Sequence, residues 1–524
     1  MSEYSSALTR REFVTRSALL GGGLLLGGGA LAACSGSTVG ARTGSAGTIN
    51  LGVTVDVDTF NPDNLLFNNF IYTRTMYDTL IDYSTDLTAV MRMAQKIDVS
   101  PDHTSITAVL RKGILFQSGA QVDADAVVKN FQFSSDPNRG HQVASLLAKV
   151  KSVTAVDPDT VKFAFKSPIP QLAATDVLQA MPIIDPKYLG NDESALKGQG
   201  GGSGPFAFGE WRPGSTLSLQ KFDNYYMRPL PHLDKVHYQI FQSGPSAAAA
   251  LRSGTIDVAA YLEPNLVKPL AADFNVLKGT EGTLTYCFEF NATRAPFTSK
   301  AVRQAFQYAV NREGFVQNVL FGFSAPTALP WGPGSPAYDA NALSKYPFDL
   351  NKAKRLLTDA GVTPGTKFNI AVNSSYPFGS AMAQILQADL RKIGYDLNII
   401  VKESATWVSD YFKGNFDMVP NFSGNTAKYP TECVQNSFYR PQQNSSFGPG
   451  PTPASWTNAL NDANAALTID TQRAAFDAMN KALLDESWLI NVAYNVSLVA
   501  MSKKVSNFAL NLDDMIRIEN AQIG

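Results

Sequence analysis

Along residues 286–322 the spacing of apolar positions changes period. Phe288 and Phe290 alternate with polar neighbours, as in a half-buried strand, and Asn291, Thr293 and Pro296 then end it. From Val302 the period is helical. Val302, Ala305, Phe306, Ala309 and Val310 share one face, and Thr298 or Ser299 is placed to cap its start. Asn311 is placed to cap a second helix with an apolar stripe of Phe315, Val316, Val319 and Leu320, closed by Gly322. The stretch predicts a strand feeding a helical hairpin.

Both periods recur elsewhere. Residues 48–55 and 105–111 alternate as strands, and 153–172 predicts a hairpin turning at Asp157-Pro158-Asp159. Asn351 is expected to cap a helix ending at Gly361. Phe368, Ile370 and Val372 alternate, Met382, Ile385, Leu386, Leu390 and Ile393 form a helical stripe ended by Gly394, and Leu397, Ile399 and Val401 alternate again. That order predicts two parallel strands joined by a right-handed crossover. Residues 471–491 predict an amphipathic helix, followed by strands through 496–501 and Phe508. The fold class that results is α/β.

Composition narrows the function. The 524 residues are 44% hydrophobic and 17% charged, enough for two or three domains with full cores. A net charge of −1 excludes the basic balance of a nucleic-acid binder, and no period of 20–50 residues suggests a solenoid. His103, His141, His232 and His237 are the only histidines and fall in no metal-ligand spacing. No carboxylate pair stands out as acid and base. The glycines around Ser203 lack the Lys-Ser/Thr of a phosphate loop, and Gly204-Pro205 breaks the pattern of a nucleophile elbow. They read as a flexible return between segments. No catalytic residue, metal site or cofactor is expected.

The N-terminus carries an address. Arg10-Arg11 forms a twin-arginine pattern, a Gly/Leu/Ala run covers 17–33, and Leu31-Ala32-Ala33-Cys34 resembles a lipobox in which Cys34 takes a diacylglyceryl group. A transmembrane anchor is the alternative, but the run is short and broken by Gly21 to Gly23 and Gly27 to Gly29. Residues 34–47 then read as a Gly/Ser tether. Cys287 and Cys433 remain, and two buried thiols are favoured over a bond between them.

Three stretches carry a family resemblance. FNATRAPFTSKAVRQAFQYAVNREGFV (290–316) resembles FNTTRPPFDDxRVRQALxYAIDRxxIV of the family-5 extracellular solute-binding proteins, the receptors of ABC importers for peptides, nickel and some oligosaccharides. LRKGILFQSGAQVDADAVVKNFQF (110–133) is similar to LRxGVKFHDGxPLTAEDVVFSL, with Gln117 and Ser118 in place of His-Asp. GQGGGSGPFAFGEWRPGSTLSLQKFDNYY (198–226) resembles GTGPFKFxEWxPGxxIxLxRNPDYW. The resemblance implies a two-lobed periplasmic-binding-protein fold of the large cluster C type. Lobe I would comprise 48–78, 203–285 and 498–524, with 79–202 as an inserted subdomain, and lobe II 286–497. It also implies lobes that close on a solute, a membrane permease as partner, a monomer outside the cytoplasm, and attachment to the membrane through the Cys34 lipid.

The resemblance names ligand positions as well. Phe60-Asn61-Pro62 matches a Leu-Asp-Pro loop at the cleft mouth, with an amide at Asn61 where relatives carry a carboxylate, and Trp331 lies in a Pro/Gly-rich segment that borders the cleft. Peptide-binding relatives carry GWxxDYxDP near 417–434, where the Asp pairs with a peptide's α-ammonium. Here the stretch reads Asn421-Phe422-Ser423-Gly424-Asn425, with no acid before Glu432. A buried cation without a paired carboxylate is costly. Neutral solutes are therefore expected: oligosaccharides, amides or capped peptides, with Trp331, Trp407 and Tyr429 as stacking faces or as core residues. A sensor's ligand-presenting subunit and a secreted hydrolase are the alternative functions.

Overall fold

The computed structural model describes residues 47–61, 67–139, 143–190, 201–282, 284–424, 428–436 and 453–524. The leader, Cys34, the tether and Asn425 lie outside these residues. The first strand, β1 (Thr48–Val53), buries Ile49, Leu51 and Val53 completely and lies in the middle of a seven-stranded sheet.

The chain then leaves that sheet to build a separate antiparallel one from β2 (Ala94–Val99), β3 (Ser105–Leu110), β4 (Val150–Asp157) and β5 (Thr160–Phe165), in the order β2-β3-β5-β4. The turn between β4 and β5 falls at Pro158 and Asp159, inside the expected hairpin. Asp123 caps the helix Ala124–Ser134 by accepting the Ala126 N–H at 2.8 Å. The return to the first sheet is tight. A Cβ on Gly202 or Gly204 would lie 2.2 or 2.6 Å from the Met76 backbone, so these glycines serve close approach, not flexibility.

The first sheet is completed by β6 (Phe206–Arg212), β7 (Thr216–Lys221), β8 (Lys235–Ile240), β9 (Val258–Ala260) and β10 (Asn275–Lys278). Beyond it come β11 (Leu284–Phe290), at the start of the segment expected as lobe II (286–497), β12 (Lys367–Asn373), β13 (Asp396–Lys402), β14 (Met418–Gly424) and β15 (Leu489–Asn495). The last long strand, β16 (Leu498–Met501), returns to lobe I, giving the order β10-β16-β9-β1-β8-β7-β6 with β1 parallel to β8 and β9. Lobe II pairs β14-β11-β15 antiparallel and β12 with β13 in parallel, the latter joined by the helix Pro377–Lys392.

The first helix of the hairpin forms as its period predicts, while the second is shorter than expected, Arg312–Asn318, with Val319 as its C-cap residue and Leu320 and Gly322 in the turn beyond it. Val302, Ala305, Phe306 and Ala309 of Lys300–Ala309 are buried, and Phe306 packs on Phe290, Phe297 and Phe368 with centroids 5.6, 5.3 and 4.9 Å away. Burying such a ring stabilises by about 1.5–3 kcal/mol. Ser299 is the N-cap residue but makes no side-chain cap bond, whereas Asn311 accepts the Gly314 N–H at 2.7 Å. The helix Leu350–Asp359 is capped by Asp349, which accepts the Lys352 N–H at 2.8 Å; Asn351 already lies within the first turn. The expected continuous strand through 496–501 is broken at Val496 and Ser497, where the chain passes between lobes, and Phe508 lies outside any strand.

The second passage between the segments expected as lobes is at 279–282. One carboxylate spans both passages: Asp514 accepts the Thr280 N–H at 2.7 Å and the Ser497 N–H at 3.1 Å. Burial pushes its carboxyl up to about 6, although those N–H groups oppose the shift. The inserted segment is joined to its neighbours in two ways. Its apolar core is continuous with that of lobe II, while Arg92 ties it to lobe I through Asp78 and Glu519. Cys287 and Cys433 are both buried free thiols, and burial pushes Cys433 up to about 12.

Candidate functional site: an aromatic cleft between the lobes

Three strands end at one opening. Val55 follows β1, Tyr261 to Pro264 follow β9, and Ser375 to Phe378 follow β12, and all of them line a cavity of about 670 Å³. Ligands of α/β folds gather outside such carboxyl ends, and the volume is typical of a small-molecule site. Lobe I supplies Val55, Tyr261, Leu262 and Leu498, while lobe II supplies Tyr286, Tyr376, Phe378, Phe422 and Tyr494.

Strand alternation selects the wall. Tyr286 and Phe422 are partners in the β11–β14 register, and both line the cavity. Their neighbours Cys287, Glu289, Asn421 and Ser423 are set on the opposite face. The wall rings are held in place. Tyr376 packs edge-on against Phe422 with centroids 5.7 Å apart, and Phe378 lies 5.2 Å from Tyr286. The hydroxyls of Tyr261, Tyr286 and Tyr494 donate to Asp514 O, Asn495 Oδ1 and Trp331 O at 3.0, 3.0 and 2.7 Å. Phe422 alone among these rings is largely exposed, at 49%. Among the described residues, no Lys, Arg or His lines the cavity.

The positions expected from sequence fall elsewhere. Phe60 is fully buried against Phe208 and Trp211, and Asn61 is half-buried beside it. Trp331 is buried with its indole N–H donating to Asn480 at 2.7 Å. Trp407 stacks on Tyr411 and donates to Ala371 O at 3.0 Å, and Tyr429 is buried and donates to Ala463 O at 2.6 Å. Asn421 donates to Glu289 at 3.2 Å, and Ser423 is buried. Not one of these seven lines the large cavity, although Trp331 borders a small cleft with Lys428.

Behind the wall sits an acid that sequence reasoning passed over. Glu289 is 2% exposed and accepts the Tyr411 hydroxyl at 2.7 Å and the Asn421 amide at 3.2 Å. Burial outweighs both donors and pushes its carboxyl up to about 7. Asn421 connects it to the cleft, because its carbonyl accepts the Tyr376 hydroxyl at 3.4 Å.

Comparison with known proteins decides the class of this cleft. The model of bacterial extracellular solute-binding proteins, family 5, matches residues 88–446. The chain belongs to this family. A glutathione-binding protein of Pectobacterium atrosepticum is 24% identical over 473 residues, covering 86% of this chain and 89% of the relative. A putative peptide-binding protein, AppA, from Clostridium difficile superposes with a TM-score of 0.81 at 19% identity, covering 91% of this chain and all of that one. The Helicobacter pylori periplasmic binding protein DppA in complex with peptide STSA superposes at 0.75 and 22% identity, covering 91% and 98%. As a family-5 solute-binding protein, the chain has the two-lobed fold, works outside the cytoplasm and serves as the substrate-binding component of an ABC importer. Its relatives are binding proteins, not enzymes.

The missed wall residues had a signal. Ser375-Tyr376-Pro377-Phe378 directly follows a strand that begins a parallel pair, which is where an α/β ligand site is expected.

Proposed function

We propose that the solute is a short, peptide-like molecule with mainly apolar side chains, captured in the aromatic cavity and delivered to a permease by a monomer tethered through lipid on Cys34. The observation that carries this reading is the wall itself: rings from both lobes, held by their own packing and hydrogen bonds, with no basic side chain among the described lining residues. Apolar side chains gain by leaving water for such a wall. The stacking faces expected for a neutral solute, Trp331, Trp407 and Tyr429, are packed into cores, so that role passes to the rings of the cavity wall.

Closure has a ready contact. The backbone N–H groups of Lys428 and Tyr429, from lobe II, both reach Asp176 Oδ2 of the inserted segment at 2.8 Å. Lys428 also pairs with Asp513 of lobe I. The lobes swing about 279–282 and 496–497, and these bonds form as they meet.

The test is thermal unfolding of the full-length protein against hydrophobic peptides, capped peptides and oligosaccharides. A solute at a hundred times its dissociation constant adds about 2.7 kcal/mol of stability. Peptide-like compounds are expected to raise the midpoint, and a rise with oligosaccharides alone would overturn the solute class. Mass spectrometry of membrane fractions tests the lipid, which Cys34→Ala is expected to abolish.

A further inference from the structure

The charge of the cavity singles out one residue. Apart from tyrosine, Glu263 is the only acid or base among the described lining residues. It stands on the lobe I wall, next to Tyr261 and Leu262, and it is exposed. Room for its carboxylate is made by Gly244, where a Cβ would lie 2.2 Å from Glu263 Oε2. Among the described residues no cation and no hydrogen-bond donor pairs with that carboxylate. The basic residue nearest in sequence, Lys268, has its Nζ 6.0 Å from the Phe323 ring centroid and does not line the cavity.

When the lobes close, a lone carboxylate on an apolar wall loses water and gains nothing in return. A solute cation removes that cost, and a solute anion adds to it. We propose that Glu263 is the specificity residue of the cleft: it anchors an amine or guanidinium, so the solute is a cation with an apolar body. This inference rests on reading the aromatic cavity as the solute site. It moves the charge partner of the solute to lobe I, away from the face that carries Asn421 and Ser423.

The experiment uses pools of hydrophobic tripeptides made in three forms: free amine with C-terminal amide, N-acetyl with C-terminal amide, and N-acetyl with free carboxylate. Each pool is titrated calorimetrically into the full-length protein and into Glu263→Gln and Gly244→Ala. The cationic pool is expected to bind about 10-fold tighter than the neutral pool, the scale of a hydrogen bond to a charged group, with the anionic pool weakest. Glu263→Gln is expected to abolish that preference and, by removing the cost of desolvating a lone carboxylate, to bind the neutral pool at least as tightly as the wild type does, and Gly244→Ala to narrow the preference by displacing the carboxylate. Equal affinities for the cationic and neutral pools, or a preference that survives in Glu263→Gln, would overturn the anchor and leave the site reading standing. Absence of binding by all three pools would overturn the peptide-like site reading and the anchor with it.

Discussion

Asp78 and Glu289 are both shut away from water, with 1% and 2% of their surface exposed, yet they are held in opposite ways. Arg92 grips Asp78 with two N–H groups, at 3.0 and 3.1 Å, and the hydroxyls of Tyr225 and Tyr226 add bonds at 3.0 and 2.7 Å. Burial alone would raise the Asp78 carboxyl, but the charges of Arg92 and Arg517, with the hydrogen bonds from Arg92 and the Tyr226 hydroxyl, together outweigh it and leave the acid below its ordinary value. Glu289 has two neutral donors, and burial prevails. Asp176 is likewise pushed up to about 7 by burial, despite the N–H groups of Tyr429 and Lys428, the charge of the Lys428 ammonium and the Tyr83 hydroxyl. In a medium of low dielectric, a neutral donor does not do the work of a cation.

The difference maps onto which segments are joined. Arg92, Asp78 and Glu519 join the inserted segment to lobe I with complete ion pairs, which are costly to pull apart. Asp176 receives its N–H groups from lobe II, and Asp514 spans the passages between lobes. Glu289 backs the strand that carries Phe422. The joint of the inserted segment to lobe I rests on buried ion pairs, whereas the contacts with lobe II combine N–H groups at Asp176 with the ion pairs Lys428–Asp513 and Lys149–Glu432.

The largest effect is expected from Arg92→Met, which leaves Asp78 and Glu519 buried without the cation that bonds them both, with Arg517 as the remaining positive charge nearby. Urea unfolding is expected to show a loss of about 3–5 kcal/mol. A loss below about 1 kcal/mol would mean that the pair contributes little to that joint.

A smaller effect, with the opposite sign, is expected at Glu289. Its folded value of about 7 lies above the ordinary 4.5, so the stability it contributes is present below 4.5 and is lost as pH rises through 7. Glu289→Gln removes that loss. The variant should match the wild type near pH 4 and exceed it at pH 8 by on the order of 3 kcal/mol. Parallel pH profiles for the two proteins would contradict the unpaired state of this acid.

Periodicity made the scaffold legible. The stripe of Val302, Ala305, Phe306 and Ala309, the Asn311 cap and the parallel pair β12–β13 all depend on neighbours close in sequence. The cleft was harder to read because its wall is assembled from segments far apart in the chain. Trp331 looked available for stacking, yet its N–H partner, Asn480, lies 149 residues away. Asn421 and Ser423 were singled out by motif, but alternation along β14 turns Phe422, between them, to the cleft. Asp349 displaced Asn351 as a cap for a similar reason, since residue type marks a capping segment more readily than the capping atom.

Phe422 tests the central claim most directly, because it lines the cavity, is half exposed and has little to lose in the unliganded fold. The measurement is calorimetric titration of wild type and Phe422→Ala with the peptide that most stabilises the wild type. Losing a ring that the solute covers is worth about 1.5 kcal/mol or more, so affinity is predicted to fall about 10-fold or more while the unliganded melting midpoint stays unchanged. Equal affinities in the two proteins would contradict the account and place the solute outside the aromatic cleft.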